Sequence, residues 1–288
     1  MIRRSVAGTA VSVALALSVT GCLGEDSGGN AGAGKAVSLS AAQALIKTSQ
    51  KTGEITSFKA DLAMESSGTG DDNMKATGTM QYRLKPTLAF NMTFDQMTVG
   101  GESMAGMQTM LLGEAMYMKI PMLAEVGGGK PWMKLPLDAI SKASGMNVDE
   151  LLQQSQQMDP VQATKQLTAS KDVREVGKET VNGVETTHFT GSYKVSEATA
   201  KLDPQKRAAT EKAAREAGMD SMLFDLWVDG QQLPQKMVMK AGPGAKTPVT
   251  ITVVYRDYGQ PVTITAPPAS EVGDFGDLLK GMPSPGTA

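Results

Sequence analysis

Cysteine and histidine are nearly absent from this chain: Cys22 and His188 stand alone in 288 residues. One cysteine excludes an intramolecular disulfide and a Cys-rich zinc site, and one histidine excludes paired-His ligation, so neither metal nor cofactor is expected. Charge of one sign is lacking too, with 28 basic against 30 acidic groups and a net −2. Without a dense basic block no nucleic-acid groove is expected, because phosphate binding is carried by clustered Lys and Arg. Catalytic motifs are also missing. No Gly-x-Ser-x-Gly accompanies His188, which alternates with Thr186 and Thr190 and reads as an exposed strand residue. Gly127-Gly128-Gly129-Lys130 lacks the spacing of a phosphate loop. A paired-carboxylate glycosidase is harder to exclude, but the acids are scattered where solubility explains them. The expectation is a protein that is not an enzyme.

Aromatic residues are scarce, at 5%, and methionine takes their place: 20 copies against 6 Phe, 5 Tyr and 2 Trp. Met is unbranched and polarizable, so it adapts to surfaces that accept variable apolar shapes.

The N-terminus carries Arg3 and Arg4, then an apolar run from Ser5 to Val19, then Thr20-Gly21-Cys22. A charged start, a short apolar stretch and small residues before the cut describe a secretory signal peptide over residues 1–21. Val19-Thr20-Gly21-Cys22 looks like a bacterial lipobox, in which the Cys thiol accepts a diacylglyceryl group before cleavage. Cys22 is thus the expected lipidation site, bearing palmitate-type acyl chains. Residues 22–36, rich in Gly, Ala, Ser and Asn, have too few apolar groups to fold and read as a flexible tether. The expected location is the extracytoplasmic face of the cell membrane, held by the acyl anchor.

Beyond the tether, Ser40 with Gln43 forms a capping-box pattern that predicts a first helix, closed by Gly53. The period then changes to two, with Phe58, Ala60, Leu62 and Met64, then Met74 to Leu84 after a turn near Gly70, then Leu88 to Phe94. Such alternation predicts antiparallel strands with one apolar face. Further strands are expected at Met107–Leu112, Ala115–Ile120 and Pro131–Leu135. Residues 137–168 read as two or three short helices, signalled by Asn147 with Glu150 and by Asp159-Pro160. Strands resume at Lys171–Val181 and, past the hairpin signal Asn182-Gly183, at Val184–Val195. Asp203-Pro204 opens a charged, solvated helix that Gly218 closes; Met222–Val228, Leu233–Lys240 and Val249–Tyr258 complete about ten strands. One α+β domain is expected over residues 37–279, with a disordered tail at 280–288.

The sheet's apolar faces exceed the visible helical cover, which offers little beyond Leu45, Ile46, Leu137, Ile140, Val148, Leu151, Leu152, Met158, Val161 and Leu167. An apolar face must be buried, at roughly 25 cal/mol per Å². Two outcomes stay open: a cavity completed by a lipid tail, or a sheet that bends until its own side chains interdigitate with Met as filler. If there is a cavity, its lining falls to Phe58, Leu62, Met64, Met80, Tyr82, Leu88, Phe90, Met92 and Phe94 in the first half. Met116, Met118, Leu151, Leu152, Phe224, Leu226, Met237, Ile251 and Val253 complete it.

Several marks taken together carry a resemblance. They are Tyr117, Trp132-Met133-Lys134, Asn182 through Phe189, Trp227-Val228-Asp229 with Leu233-Pro234, and Tyr255-Arg256-Asp257-Tyr258-Gly259 with Pro261-Val262. With the lipobox and tether, the chain resembles the LppX/LprG-type lipoproteins of high-GC Gram-positive bacteria, which share a LolA/LolB-like half-barrel. The resemblance implies a curved antiparallel β-sheet half-barrel with α-helices packed across the concave face. It also implies a hydrophobic cavity that binds acylated lipid or glycolipid and carries it across the cell envelope, with no enzymatic activity. A membrane transporter is then a candidate cargo donor, and a monomer is expected. The competing reading is an anchored envelope sensor or scaffold that binds a protein partner without lipid cargo. For the anchor, Cys22→Ala is expected to release the protein from membranes, read by fractionation; retention after signal cleavage would overturn the lipidation site.

Overall fold

The computed structural model describes residues 32–68, 73–121, 129–144, 148, 160–200 and 204–274. The signal segment, Cys22, Asn147, Glu150, Leu151, Leu152, Met158, Asp159 and the 280–288 tail lie outside the described residues.

Helix α1 spans Gly32–Thr52. It starts well before Ser40, so Ser40 is not its N-cap and residues 32–36, expected in the tether, are helical. The C-terminal stop is where Gly53 predicted it.

Among the described residues there are thirteen strands: β1 Ser57–Ser66, β2 Met74–Arg83, β3 Ala89–Val99, β4 Glu102–Met104, β5 Met107–Leu112, β6 Ala115–Lys119 and β7 Trp132–Pro136 form the first half. The second half is β8 Arg174–Val181, β9 Val184–Lys194, β10 Ser221–Asp229, β11 Pro234–Ala241, β12 Val249–Arg256 and β13 Val272–Asp274. Between them lie helices α2 Leu137–Ser144, α3 Pro160–Leu167, α4 Val195–Ala198 and α5 Pro204–Ala217. The strands join one open α+β sheet in the order β13-β7-β6-β5-β3-β2-β1-β12-β11-β10-β9-β8, with β4 on β3. All pairs are antiparallel except β13 on β7. The sheet is a curved half-barrel whose ends, β13 and β8, do not meet.

Local chemistry explains the joints. Asn182 and Gly183 both take positive φ, 49° and 81°, as a two-residue hairpin turn between β8 and β9 requires. Gly218 closes α5 at φ 68°. The helix itself is solvated and laced by i,i+4 pairs such as Arg207–Glu211 at 2.8 Å, with Ala214 its buried contact. Short β4, β13 and α4 carried too few residues to show a period.

Because the side-chain period of a strand is two, register decides which residues share a face. Across the sheet Leu62 lies opposite Gly78 and Val253, Gly78 opposite Phe94, and Val253 opposite Met237. Met237 in turn faces Leu226, which faces Phe189. One surface is therefore apolar across most of the sheet's width. The other carries Lys59, Asp61, Asn91, Lys236 and His188. Its apolar patches are local: Trp227 lies against His188, and where the strap Pro261–Pro268 crosses, Val262 and Ile264 are buried against Ala89, Met110 and Trp132.

Gly78 sits at the β2–β3 bulge, where an added Cβ would lie 2.1 Å from the Thr93 carbonyl oxygen. Gly78→Val is expected to destabilise the fold by about 1–3 kcal/mol or more, measured by urea denaturation, since backbone cannot step aside.

Asp172 ties the segment before β8 to β9 by accepting hydrogen bonds from the Ser192 hydroxyl at 2.6 Å, the Ser192 N–H at 2.7 Å and the Ser170 hydroxyl at 2.9 Å. Burial works to raise its pKa, but these hydrogen bonds together outweigh it and hold the carboxyl below its usual range. A depressed folded pKa means stability present above the unfolded value, about 3.9, and lost as pH falls through the folded one. Asp172→Asn should lower Tm at neutral pH and flatten its acid dependence below about pH 4.

Candidate ligand-binding site

The apolar surface of the sheet divides into three zones. At the end where β1 begins, aromatic rings fill the space. Phe58 stacks on Tyr82 at 4.9 Å between centroids, Tyr82 on Phe90 at 5.2 Å, and Tyr255 meets Phe58 edge-on at 5.9 Å. All four are buried. In the middle, Ala60, Leu62, Met80, Met92, Leu226, Met237 and Val253 are buried in the same cluster. Toward the far end Met64, Phe94, Met222, Met239 and Ile251 pack against that cluster but stay half-buried, as does Met116 on the β6 side.

Helix α1 covers the cluster with a stripe at i, i+4, i+7 and i+11: Ala41, Leu45, Thr48 and Thr52, each no more than 2% exposed. Ile46, expected in that cover, is 48% exposed instead, because it lies off the stripe. Buried Thr164 of α3 meets Thr52, hydroxyl to hydroxyl, at 2.9 Å, with Ala163 and Leu167 beside it. The Thr48 hydroxyl has no hydrogen-bond partner among the described residues. Ile140 of α2 and Val148 add partial cover.

Most of the residues expected as lining share one apolar cluster on this surface. Phe58, Leu62, Met64, Met80, Tyr82, Leu88, Phe90, Met92, Phe94, Met116, Phe224, Leu226, Met237, Ile251 and Val253 all belong to or pack against the one cluster. Met118 shares the face, opposite Thr109 and Met133, and is half-buried at its margin. The same cluster also takes in Phe189, Tyr193, Leu111 and Tyr255, with Met222 and Met239 packed against it. All of these lay in the alternation that selected the others. Only Thr48, Thr52 and Thr164 had no apolar signal to find them by.

Among the described residues no Asp, Glu, Lys or Arg is buried; the buried polar side chains are Thr and Ser. Burial pushes the Tyr193 hydroxyl up to about 12, and it donates to Gln166 Oε1 at 3.3 Å. Among the described residues, no group of three or more His, Cys, Asp or Glu is placed to hold a metal. Two cavities stand out elsewhere: about 280 Å³ beneath the strap, and about 410 Å³ at Ala200, Pro204, Arg207, Ala208 and Glu211.

His188 lies on the opposite surface and is less exposed than a lone strand His was expected to be, at 12%. Its Nδ1 meets Glu179 at 2.8 Å, its Nε2 meets Asp225 at 2.9 Å, and its ring stacks on Trp227 at 4.2 Å. Lys236 covers the Trp227 ring at 4.5 Å. Hydrogen bonds from Trp227 Nε1 and then His188 hold the Glu179 carboxyl below its usual range. This is a cross-strand ladder fastening edge strand β8, with no nucleophile in it.

No family model matches the chain. It is 33% identical to an uncharacterized 31.2 kDa protein from the rplA–rplJ intergenic region of Streptomyces griseus, over 84% of this chain and 82% of that one. A candidate lipoprotein of Streptomyces coelicolor, SCO4650, is 28% identical over 98% of both. Among solved structures it is similar to LprF from Mycobacterium bovis, 14% identical with a TM-score of 0.49 over 80% of this chain and 97% of that one. It is also similar to LppX from Mycobacterium tuberculosis, 15% identical with a TM-score of 0.44 over 79% and 99%. By its identity to the Streptomyces griseus protein over most of both chains, the chain belongs to that protein's family.

Proposed function

We propose that the protein is a lipoprotein, anchored through acylated Cys22 on the outer side of the cell membrane, that binds acylated lipid or glycolipid on the apolar face of its sheet and carries it through the envelope. The observation that carries this reading is the half-buried, methionine-rich end of that face. There Met64, Met222, Met239 and Ile251 continue the buried cluster yet are not sealed by the described helices. A relative described as a candidate lipoprotein supports the anchor.

The physics of loading follows from the zones. Each methylene removed from water contributes about 0.8 kcal/mol, so about ten supply about 8 kcal/mol before ordering costs. Unbranched Met side chains move among rotamers at little cost, so the mouth can fit chains of different length. The aromatic end is already filled by its own rings, so a guest enters from the methionine end. Deeper entry requires α2 to lift, because Ile140 packs against the cluster.

Native mass spectrometry of protein purified from its own host tests the proposal. A co-purifying acylated species is expected. Lipid-free protein that also takes up no fluorescent acyl probe would overturn the carrier and leave the anchored scaffold. At the mouth, Met239→Trp is expected to cut probe uptake at least about threefold while Tm moves by no more than about 3 °C, because a half-buried site tolerates volume. Unchanged uptake would remove this end of the face from the binding site.

A further inference from the structure

The cavity beneath the strap lies on the surface opposite the proposed lipid site and is independent of it. Its floor is Asn91, Gln108, Met110 and Trp132 from β3, β5 and β7, and its wall is the strap from Thr263 to Pro268. The strap is held at both ends. The Ser57 hydroxyl donates to the Gln260 carbonyl at 2.6 Å, and Lys130 Nζ donates to the Ser270 carbonyl.

The lining contains no charged side chain, which excludes phosphate and carboxylate ligands. Gln108 Nε2 donates to Asn91 Oδ1 at 2.7 Å. That bond fixes both amides and leaves the Asn91 amino group as donor and the Gln108 carbonyl as acceptor. Adjacent fixed donor and acceptor match two neighbouring hydroxyls of a ring, each of which both donates and accepts. Pro267 and Pro268 supply apolar surface for the ring's C–H faces. The hollow, about 280 Å³, has room for one ring.

We propose that this cavity is a binding site for a neutral pyranose unit, presented by a soluble glycan or by a glycolipid headgroup. Saturation-transfer NMR with methyl glucoside, methyl galactoside and N-acetylglucosamine tests it, with glycosyl diacylglycerol vesicles as a second arm. A saturable signal from the free sugars assigns the source to soluble glycan, and one from the vesicles alone assigns it to a membrane headgroup. Glucuronate and glucose 6-phosphate should give none. Asn91→Leu with Gln108→Leu should weaken binding at least about tenfold, the loss expected for a pair of hydrogen bonds. If that variant misfolds, shifts of the Asn91 and Gln108 side-chain amide resonances on titrating the unsubstituted protein serve instead, and resonances that stay still count against the site. Silence in both arms, unchanged affinity in a folded double variant, or binding of triglycine in preference to sugar would overturn the proposal.

Discussion

A wide antiparallel sheet with one apolar surface must hide that surface from water, and the rest of this structure answers to that constraint. The sheet curves, but its ends stay apart at β13 and β8, so it cannot bury the surface by closing into a barrel. The helical cover among the described residues is one long helix and a few short ones, and only α1 offers a continuous buried stripe. The sheet therefore covers part of itself. Phe58, Tyr82, Phe90 and Tyr255 are large enough to fill the space at one end by stacking, which explains why so few aromatic residues suffice.

Strand periodicity made most of this legible, because register turns a one-dimensional alternation into a shared face. The residues picked from the alternation at Phe58, Leu62 and Met64 and at Phe224 and Leu226 converge on one cluster although the two runs are far apart in the chain. The helical side was less legible. Ile46 looked like cover and faces solvent, while Thr48 and Thr52 looked polar and are fully buried, since the phase of a weakly amphipathic helix is set by what it packs against. The strap was opaque for a related reason: Val262 and Ile264 alternate like a strand but pair with none, and only the tertiary path shows what they cover.

The two surfaces also differ in how they are fastened. Outside, the Glu179, His188, Trp227 and Lys236 ladder links β8, β9, β10 and β11 by hydrogen bonds and ring stacking, independently of what happens on the apolar side. The strap does the same for β3, β5 and β7. A sheet braced from its outer surface can tolerate incomplete packing on its inner one, because strand order does not rest on that packing alone.

That separation bears on why the methionines lie where they do. Aromatic rings are rigid and fill a fixed volume, so an end packed by Phe58, Tyr82 and Phe90 has one arrangement. The opposite end carries Met64, Met222 and Met239, whose side chains have three rotatable bonds and lose little by moving. Were the half-buried end merely an unfinished core, larger branched or aromatic side chains would stabilise it more, at about 25 cal/mol for each Å² of apolar surface withdrawn from water. Flexible side chains in that position give up packing energy in the empty protein and recover it only when something apolar lies against them. A rigid end that sets the fold and a pliable end that, in the carrier we propose, conforms to a guest are thus two uses of the same continuous surface.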